Sequence, residues 1–158
     1  MRPFGGRVAC DTRGVIRSYT SGDLDEVVEA WYRASLEAHS FLSEDFFDAE
    51  RERLSDLWLP MADTSVFEVG GHVVGFASMV GNEVGGIFVA PSHQNKGIGH
   101  ALLDHVAATR PYLELEVFEA NTLGRRFYDA YGFRVLGEGL DDTVGLPILR
   151  LRIDCSLT

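Results

Sequence analysis

The chain has 158 residues, 46% of them hydrophobic, and a mean hydropathy near zero, which suits one domain with a buried core. Two cysteines beside ten phenylalanines exclude a small disulfide-rich scaffold, and no apolar run approaches the roughly 20 residues that cross a bilayer. The net charge of −10 argues against a protein that binds the nucleic-acid backbone, since such proteins rely on clustered lysines and arginines.

The first residues of the chain show no apolar periodicity. We predict a flexible leader over residues 1–12, followed by a single domain over 13–158. The leader lacks the apolar segment of a secretion signal. We therefore expect a cytoplasmic protein in which Cys10 and Cys155 are reduced thiols.

The first half of the domain is predicted to contain a short strand and two amphipathic helices. The strand covers residues 14–19. Asp23 and Glu26, three positions apart, resemble a capping box at the start of the first helix. Ser43 opens the second helix, which we expect to stop before Pro60 because proline cannot donate a helical hydrogen bond.

Negative charge is concentrated in these two helices. Residues 21–60 contain eleven acidic and three basic side chains. This quarter of the chain therefore carries most of its excess negative charge. One interpretation is that these residues form solvated helix faces. The alternative is an acidic rim that attracts a cationic ligand.

After residue 64 the apolar period changes from 3.6 to 2, which predicts strands. The first two of these strands form a hairpin around the Gly70-Gly71 turn. The predicted strands lie at 65–69, 72–80, 83–90, 112–118, 133–136 and 146–153, and the predicted helices at 98–106 and 121–131. With no repeat and no linker, this order indicates one mixed α/β domain.

The most informative segment is the polar loop that follows the strand ending at Pro91. In this loop Gly97 and Gly99 open a helix. The first N–H groups of a helix have no partner inside the helix and lie at the positive end of its dipole. Glycines allow an anion such as a diphosphate to approach these N–H groups, and Lys96 adds positive charge. The segment therefore predicts an anion-binding helix start.

Several interpretations of this loop compete. A P-loop is excluded because the Gly-Lys-Ser/Thr sequence is missing, and a Rossmann fingerprint is weak because residue 102 is leucine. An ordinary glycine-rich turn is a further alternative. The best interpretation is Gln94-x-x-Gly97-x-Gly99 after a strand ending in proline, which resembles the acetyl-CoA pyrophosphate loop of the Gcn5-related N-acetyltransferase (GNAT) superfamily.

A second segment, from Asn121 to Phe133, resembles the other GNAT signature, Asn-x-x-Ala-x-x-Phe-Tyr-x-x-x-Gly-Phe, with Gly124 at the alanine position. That glycine is expected to cost roughly 0.5–1 kcal/mol of helix stability and not to affect the chemistry. Residues 39–42 and 141–147 resemble the small bacterial YjaB-type subgroup. The resemblance implies an α/β (α+β) GNAT fold: a mixed, mostly antiparallel sheet of about seven strands, flanked by about four helices, with strands four and five splayed apart.

The resemblance also implies acetyl-CoA as co-substrate, without a metal. The pantetheine arm would lie between strands four and five, where the Ile87 N–H would bond the thioester carbonyl and then its oxyanion. Asn121 resembles the residue that bonds this arm, and Arg125 or Arg126 could reach the phosphates. The cofactor-binding residues implied in this way are Ile87, Phe88, Val89, Gln94, Asn95, Lys96, Gly97, Ile98, Gly99, His100, Asn121, Arg125 and Tyr128.

For catalysis the resemblance implies N-acetylation, in which an amine must lose a proton before it attacks the thioester. Glu83, eleven residues before Gln94, is the predicted general base, with a solvated carboxylate as the alternative. Further candidates for the base are His39, Glu116 and Glu119. Tyr128 resembles the general acid that protonates the departing CoA thiolate, the alternative being a core tyrosine.

The acceptor site is implied between the first two helices, above strands four and five. Its predicted substrate-binding residues are His39, Phe41, Glu83 and Glu116. Because this region is acidic, we expect a cationic small amine, a polyamine or a basic peptide as acceptor. We expect neither a nucleic-acid nor a membrane partner. The sequence is compatible with a homodimer. Two other function classes stay open: a non-catalytic acyl-CoA-binding sensor and a nucleotide-binding module that uses the same glycines.

Overall fold

A computed structural model describes residues 14–155 of the chain, so the predicted leader lies outside the described residues. Within them, seven strands form one sheet in the order β1-β2-β3-β4-β5-β7-β6. The strands are β1 (Gly14–Ser18), β2 (Asp63–Val69), β3 (His72–Val80), β4 (Glu83–Val89), β5 (Tyr112–Phe118), β6 (Arg134–Leu140) and β7 (Pro147–Asp154). Only the β4–β5 pairing is parallel among the described strands, which confirms the predicted mixed, mostly antiparallel sheet.

The helices also follow the predicted order. They are α1 (Leu24–Ala38), α2 (Glu44–Arg53), a short α3 (Leu59–Met61), α4 (Ile98–Ala107) and α5 (Thr122–Tyr131). Ser43 caps α2 as predicted, because its hydroxyl accepts a hydrogen bond from the Phe46 N–H at 3.2 Å. Within the described part of the chain, no helix combines the length and the apolar character needed to cross a membrane.

The predicted capping box at the start of α1 is wrong by one turn. The Asp23 carboxylate accepts a hydrogen bond from the Thr20 N–H at 2.8 Å, so the box closes a short 3₁₀ turn that precedes the helix. Glu26 lies in the first turn of α1, but its side chain accepts a hydrogen bond from the Val73 N–H of β3 at 3.1 Å. The carboxylate therefore joins α1 to the sheet, because a strand N–H is available to it there.

The prediction that the second helix stops before Pro60 is also wrong. After α2 the chain continues through a π-helical turn, Leu54–Trp58, directly into α3, which contains Pro60. A proline has no N–H to donate, and its ring presses on the carbonyl four residues earlier. The π-turn accommodates it, because the widened spacing lets the Leu59 N–H bond the Leu54 carbonyl five residues back.

Two hydrophobic cores lie on opposite faces of the sheet. On one face α4 and α5 pack against most of the strands, with Leu102, Leu103 and Leu113 fully buried. On the other face α1, α2 and α3 cover the half of the sheet around Val66 and Phe76. The neighbouring half of that second face, on β5 and β7, carries alternating charged side chains.

The sheet opens between β4 and β5. Their ladder contains a single residue pair, Glu83 with Glu114, at the start of β4. Further along β4, the Ala90 N–H donates to the Val74 carbonyl of β3 at 2.8 Å. Since alternate residues of a strand direct their backbone groups to opposite sides, Ile87 and Val89 direct theirs into the gap. The predicted splay of strands four and five is thus confirmed.

Candidate active site

A cavity of about 760 Å³ occupies this gap and extends between the sheet, α1 and α2. Most of the predicted site residues line it. They are His39, Ile87, Phe88, Val89, Gln94, Asn95, Gly97, Ile98, Gly99, His100, Glu116, Asn121 and Tyr128. Of the predicted residues, Phe41, Glu83, Lys96, Glu119, Arg125 and Arg126 lie outside the lining in the described part of the chain. The structure therefore gathers side chains from five separate segments around one space.

The loop before α4 has the shape that a phosphate-binding helix start requires. Gly97, the N-cap of α4, has φ = +83°, a left-handed conformation that favours glycine. A Cβ atom on Gly99 would lie 3.1 Å from Phe127 Cζ. His100 adds a buried Nδ1 atom without a hydrogen-bond partner among residues 14–155, because its contact with Asp104 is long, at 3.5 Å. The left-handed N-cap and the glycines of this helix start fit an anionic group, whereas the His100 Nδ1 atom faces the Asp104 carboxylate.

Gln94 supports the loop through its side chain. Its Nε2 atom donates to the Val89 carbonyl at 2.8 Å, at the end of β4 that faces the gap. The side chain therefore holds the loop onto the strand, and its predicted contact with the cofactor stays a prediction. Arg125 similarly donates to the Glu119 carbonyl at 3.0 Å.

Tyr128, on α5, also lines the cavity. Its half-buried ring packs edge-on against Phe127 and Phe133, with centroid distances of 5.3 and 5.4 Å. Desolvation raises the pKa of its hydroxyl well above the ordinary value. The phenol therefore keeps its proton at neutral pH, which is the form that a proton donor needs.

His39, at the end of α1, meets the start of α5. Its Nε2 atom lies 3.3 Å from Asn121 Nδ2, and the Oδ1 atom of Asn121 accepts from the Gly124 N–H at 2.9 Å to cap the helix. Burial lowers the pKa of His39 to about 4, so the imidazole is neutral at pH 7. Phe41 does not line the cavity; it packs edge-on against His39, at a centroid distance of 5.8 Å.

The four candidate bases are in different surroundings. Glu83 lies outside the cavity lining, and both of its carboxylate oxygens accept from Arg150, at 2.7 and 3.2 Å. Glu116 lines the cavity, and its half-exposed carboxylate lies 3.4 Å from the same guanidinium. Glu119 lies outside the lining. Glu83 thus shares the Arg150 guanidinium with Glu116 without lining the cavity, whereas Glu116, Tyr128 and His39 all line it.

Five further charged or polar residues that sequence reasoning missed also line the cavity. They are Glu37, Glu50, Arg53, Asp141 and Thr143. Burial raises the pKa of Glu50, with a further contribution from Asp141 and an opposing one from Arg53, which donates to it at 3.0 Å. The charge run over 21–60 was the available signal for the helical members of this group. The described residues contain no group of three or more His, Cys, Asp or Glu side chains arranged to hold a metal ion.

Comparison with protein families adds a match to the model described as "Acetyltransferase (GNAT) domain", over residues 60–135. Among characterised proteins, the peptidyl-lysine N-acetyltransferase YiaC of Escherichia coli is 31% identical over 134 residues. That alignment covers 84% of this chain and 92% of YiaC.

Two solved structures have the same fold. The solution structure of apo YjaB from Escherichia coli superposes with a TM-score of 0.79 at 29% identity, covering 88% of this chain and 96% of that one. The PaiA N-acetyltransferase of Thermoplasma acidophilum, solved in complex with coenzyme A, has a TM-score of 0.69 at 19% identity, covering 89% of this chain and 98% of that one.

Proposed function

This chain belongs to the GNAT family of acetyltransferases, and from that premise we propose that it transfers the acetyl group of acetyl-CoA to a lysine side chain of a polypeptide. The family predicted from the Gly97–Gly99 loop and the segment after Asn121 is confirmed. The GNAT fold and the likeness to the YjaB-type subgroup are confirmed as well. The choice of acceptor and the roles of single residues are proposals.

The observation that carries the proposal is the open edge of β4 beside the helix start at Gly97. The Ile87 N–H and carbonyl and the Val89 N–H point into the gap, where an added extended segment can bond them, whereas the Val89 carbonyl accepts from Gln94 at 2.8 Å. The start of α4, with Gly97 and Gly99, continues the same gap and suits the phosphates of coenzyme A. When bound, acetyl-CoA supplies an activated thioester carbonyl.

The Ile87 N–H is the donor that we assign to the thioester oxygen. It points into the gap from a strand that is held by β3 on its other side. A donor fixed in this way stabilises the negative charge that develops on the oxygen, without having to reorient during the reaction.

We assign the general base to Glu116. Its carboxylate lines the cavity that Tyr128 also lines and accepts one long bond from Arg150, at 3.4 Å, whereas Glu83 does not line the cavity and accepts from Arg150 through both oxygens. In this role the carboxylate accepts a proton from the lysine ammonium. Glu83, acting through a water molecule, is the alternative.

Tyr128 is the proton donor in this scheme. Glu116 takes one proton from the ammonium, the freed amine nitrogen bonds to the carbonyl carbon, and the carbon–sulfur bond breaks. The sulfur then receives the phenolic proton, the Tyr128 phenolate takes up the second proton that the nitrogen loses as it becomes an amide, and Glu116 releases its own proton to solvent. The products are an amide and the free thiol of coenzyme A.

The acceptor class follows from the charge of the cavity walls and from the relatives. Glu37, Glu50, Glu116 and Asp141 line the cavity together with Arg53, which leaves the acceptor end negative. Such a surface attracts a lysine ammonium. The relative YiaC is named a peptidyl-lysine N-acetyltransferase, which supports a lysine in a polypeptide over a small amine.

The test is acetyl-CoA turnover on peptides whose terminal amine is blocked and which contain one lysine. We expect thiol release together with acetylated peptide by mass spectrometry. A matched peptide with arginine in place of lysine should show neither, because its guanidinium does not give up a proton near neutral pH. Tight binding of acetyl-CoA without turnover on any lysine peptide would contradict the proposal and favour the acyl-CoA sensor.

A further inference from the structure

The hydrogen bonds around Asn121 determine which atom of its amide faces which partner. The Gly124 N–H lies 2.9 Å from Oδ1, and a backbone N–H can only donate. The oxygen must therefore point to Gly124, and the amide nitrogen must point to His39, 3.3 Å away. Asn121 is only 7% exposed, so the amide has little freedom to adopt another orientation.

This orientation determines the proton on His39. The Asn121 nitrogen carries only hydrogens, so the Nε2 atom of His39 must offer its lone pair. A neutral imidazole has one proton, which then resides on Nδ1. Neither ring nitrogen is available to accept a proton from a substrate amine in this state, because the Nε2 lone pair is engaged and Nδ1 is already protonated.

The ring of His39 is held on its other sides by aromatic neighbours. The centroids of Phe41 and Phe118 lie 5.8 and 5.4 Å from it, both edge-on, and the two phenylalanines contact each other at 5.4 Å. Phe118 ends β5, so the cluster joins the end of α1 to the open edge of the sheet. Such packing fixes the plane of the imidazole.

Gly124 leaves the space that this arrangement needs. A Cβ atom at this position would lie 2.5 Å from Asn121 Nδ2 and 3.0 Å from its Cγ. An alanine would therefore displace the amide from its position between Gly124 and His39. The absence of a side chain at Gly124, expected from the sequence only to weaken the helix, therefore makes room for the Asn121 amide.

We infer that His39 is a positioning residue rather than the general base: its Nε2 lone pair holds the Asn121 amide, which keeps the start of α5 and the wall that carries Tyr128 in place. The inference rests on the proposed function only for its kinetic consequence. The hydrogen-bond arrangement itself can be tested without any turnover.

The direct test is nitrogen-15 NMR of the histidine side chains in the wild-type protein at pH 7. We expect the resonances of His39, assigned by comparison with the His39→Gln variant, to show a protonated Nδ1 and an unprotonated Nε2. A protonated Nε2 would overturn the inference, even if the enzyme acetylates lysine peptides. Conversely, this tautomer in a protein without acetyltransferase activity would contradict the proposed function alone.

The kinetic test compares His39→Gln with His39→Leu. Glutamine offers an acceptor oxygen at the position of Nε2, so we expect its kcat/KM to stay within about threefold of wild type, whereas leucine leaves a buried donor unpaired and should lose about tenfold or more. A general base would give an equal, large loss in both variants, which would contradict the inference. The NMR result decides the question if the leucine variant does not fold.

Discussion

Arg150 on β7 reaches across β5 to Glu83 on β4 and donates to both of its carboxylate oxygens, at 2.7 and 3.2 Å. The same guanidinium donates to Glu114, the partner of Glu83 in the β4–β5 ladder, at 2.7 Å. The ion cluster thus lies where the two strands still touch, immediately before they separate. Arg150 joins three neighbouring strands at the start of the gap.

Replacing Arg150 with leucine should lower the free energy of unfolding by about 1–2 kcal/mol, because several carboxylates lose a shared, partly exposed cation. Urea denaturation gives this value. Arg134→Leu is the matched control, since the Arg134 contact with Asp154, at 3.3 Å, is exposed and its loss should cost less than about 0.5 kcal/mol. Equal losses in the two variants would contradict a special role for the cluster.

Glu116→Gln and Glu83→Gln distinguish the two candidate bases. We expect glutamine at 116 to lower kcat/KM for a lysine peptide by about a hundredfold or more, because the proton acceptor is lost. At 83 we expect less than a tenfold loss. Acetyl-CoA affinity should be unchanged by Glu116→Gln in a calorimetric titration. The reverse order of the two kinetic effects would return the role of base to Glu83.

Gly99→Val should reduce acetyl-CoA affinity at least tenfold. The side chain would meet Phe127, whose Cζ atom lies 3.1 Å from the position of a Cβ, and would keep phosphates away from the N–H groups of α4. Calorimetry with acetyl-CoA measures the loss. Gly137→Ala is a suitable control, because a Cβ at that position of β6 has no atom within 4 Å, and its affinity should match wild type.

The lowered pKa of His39 makes stability depend on pH. In the unfolded chain a histidine takes up a proton below about pH 6.5, whereas in the folded protein it does so only near pH 4. Unfolding is therefore favoured as the pH falls between these values, by at most about 3 kcal/mol. Denaturation of wild type and His39→Leu at pH 7.0 and 4.5 should show a larger loss in wild type; parallel losses would contradict the buried neutral histidine.

Gly124→Ala offers a test in which two effects have opposite signs. Helix propensity alone predicts a gain of about 0.5–1 kcal/mol, whereas displacement of the capping Asn121 predicts a loss of about 1 kcal/mol or more. We expect the variant to be no more stable than wild type. In an Asn121→Ala background the same substitution should become stabilising, and a double-mutant cycle by urea denaturation measures the coupling. Additive effects would show that the predicted steric contact is absent.

The positions of most strands and helices followed from the sequence because they depend on neighbouring residues, although β6, predicted over 133–136, runs from Arg134 to Leu140. Alternation over 112–118 and the apolar stripe after Ile98 report which face of an element is buried, and the Gly97-x-Gly99 loop depends on backbone freedom at the glycines themselves. Predictions made from neighbouring residues failed where a residue distant in the sequence bonded the same side chain. Glu26 bonds β3 rather than its own helix start.

The site was predictable as a set of residue types but not as a set of contacts. The Arg150–Glu83 and His39–Asn121 contacts join residues 67 and 82 positions apart, and periodicity identifies the face of an element without identifying the side chain opposite it. Residues 39, 83, 116 and 121 were all recognised as candidates from the sequence. Which of them face the cavity and which have their hydrogen-bonding atoms already engaged is decided by packing, because burial and partner atoms exist only once the sheet and helices have come together.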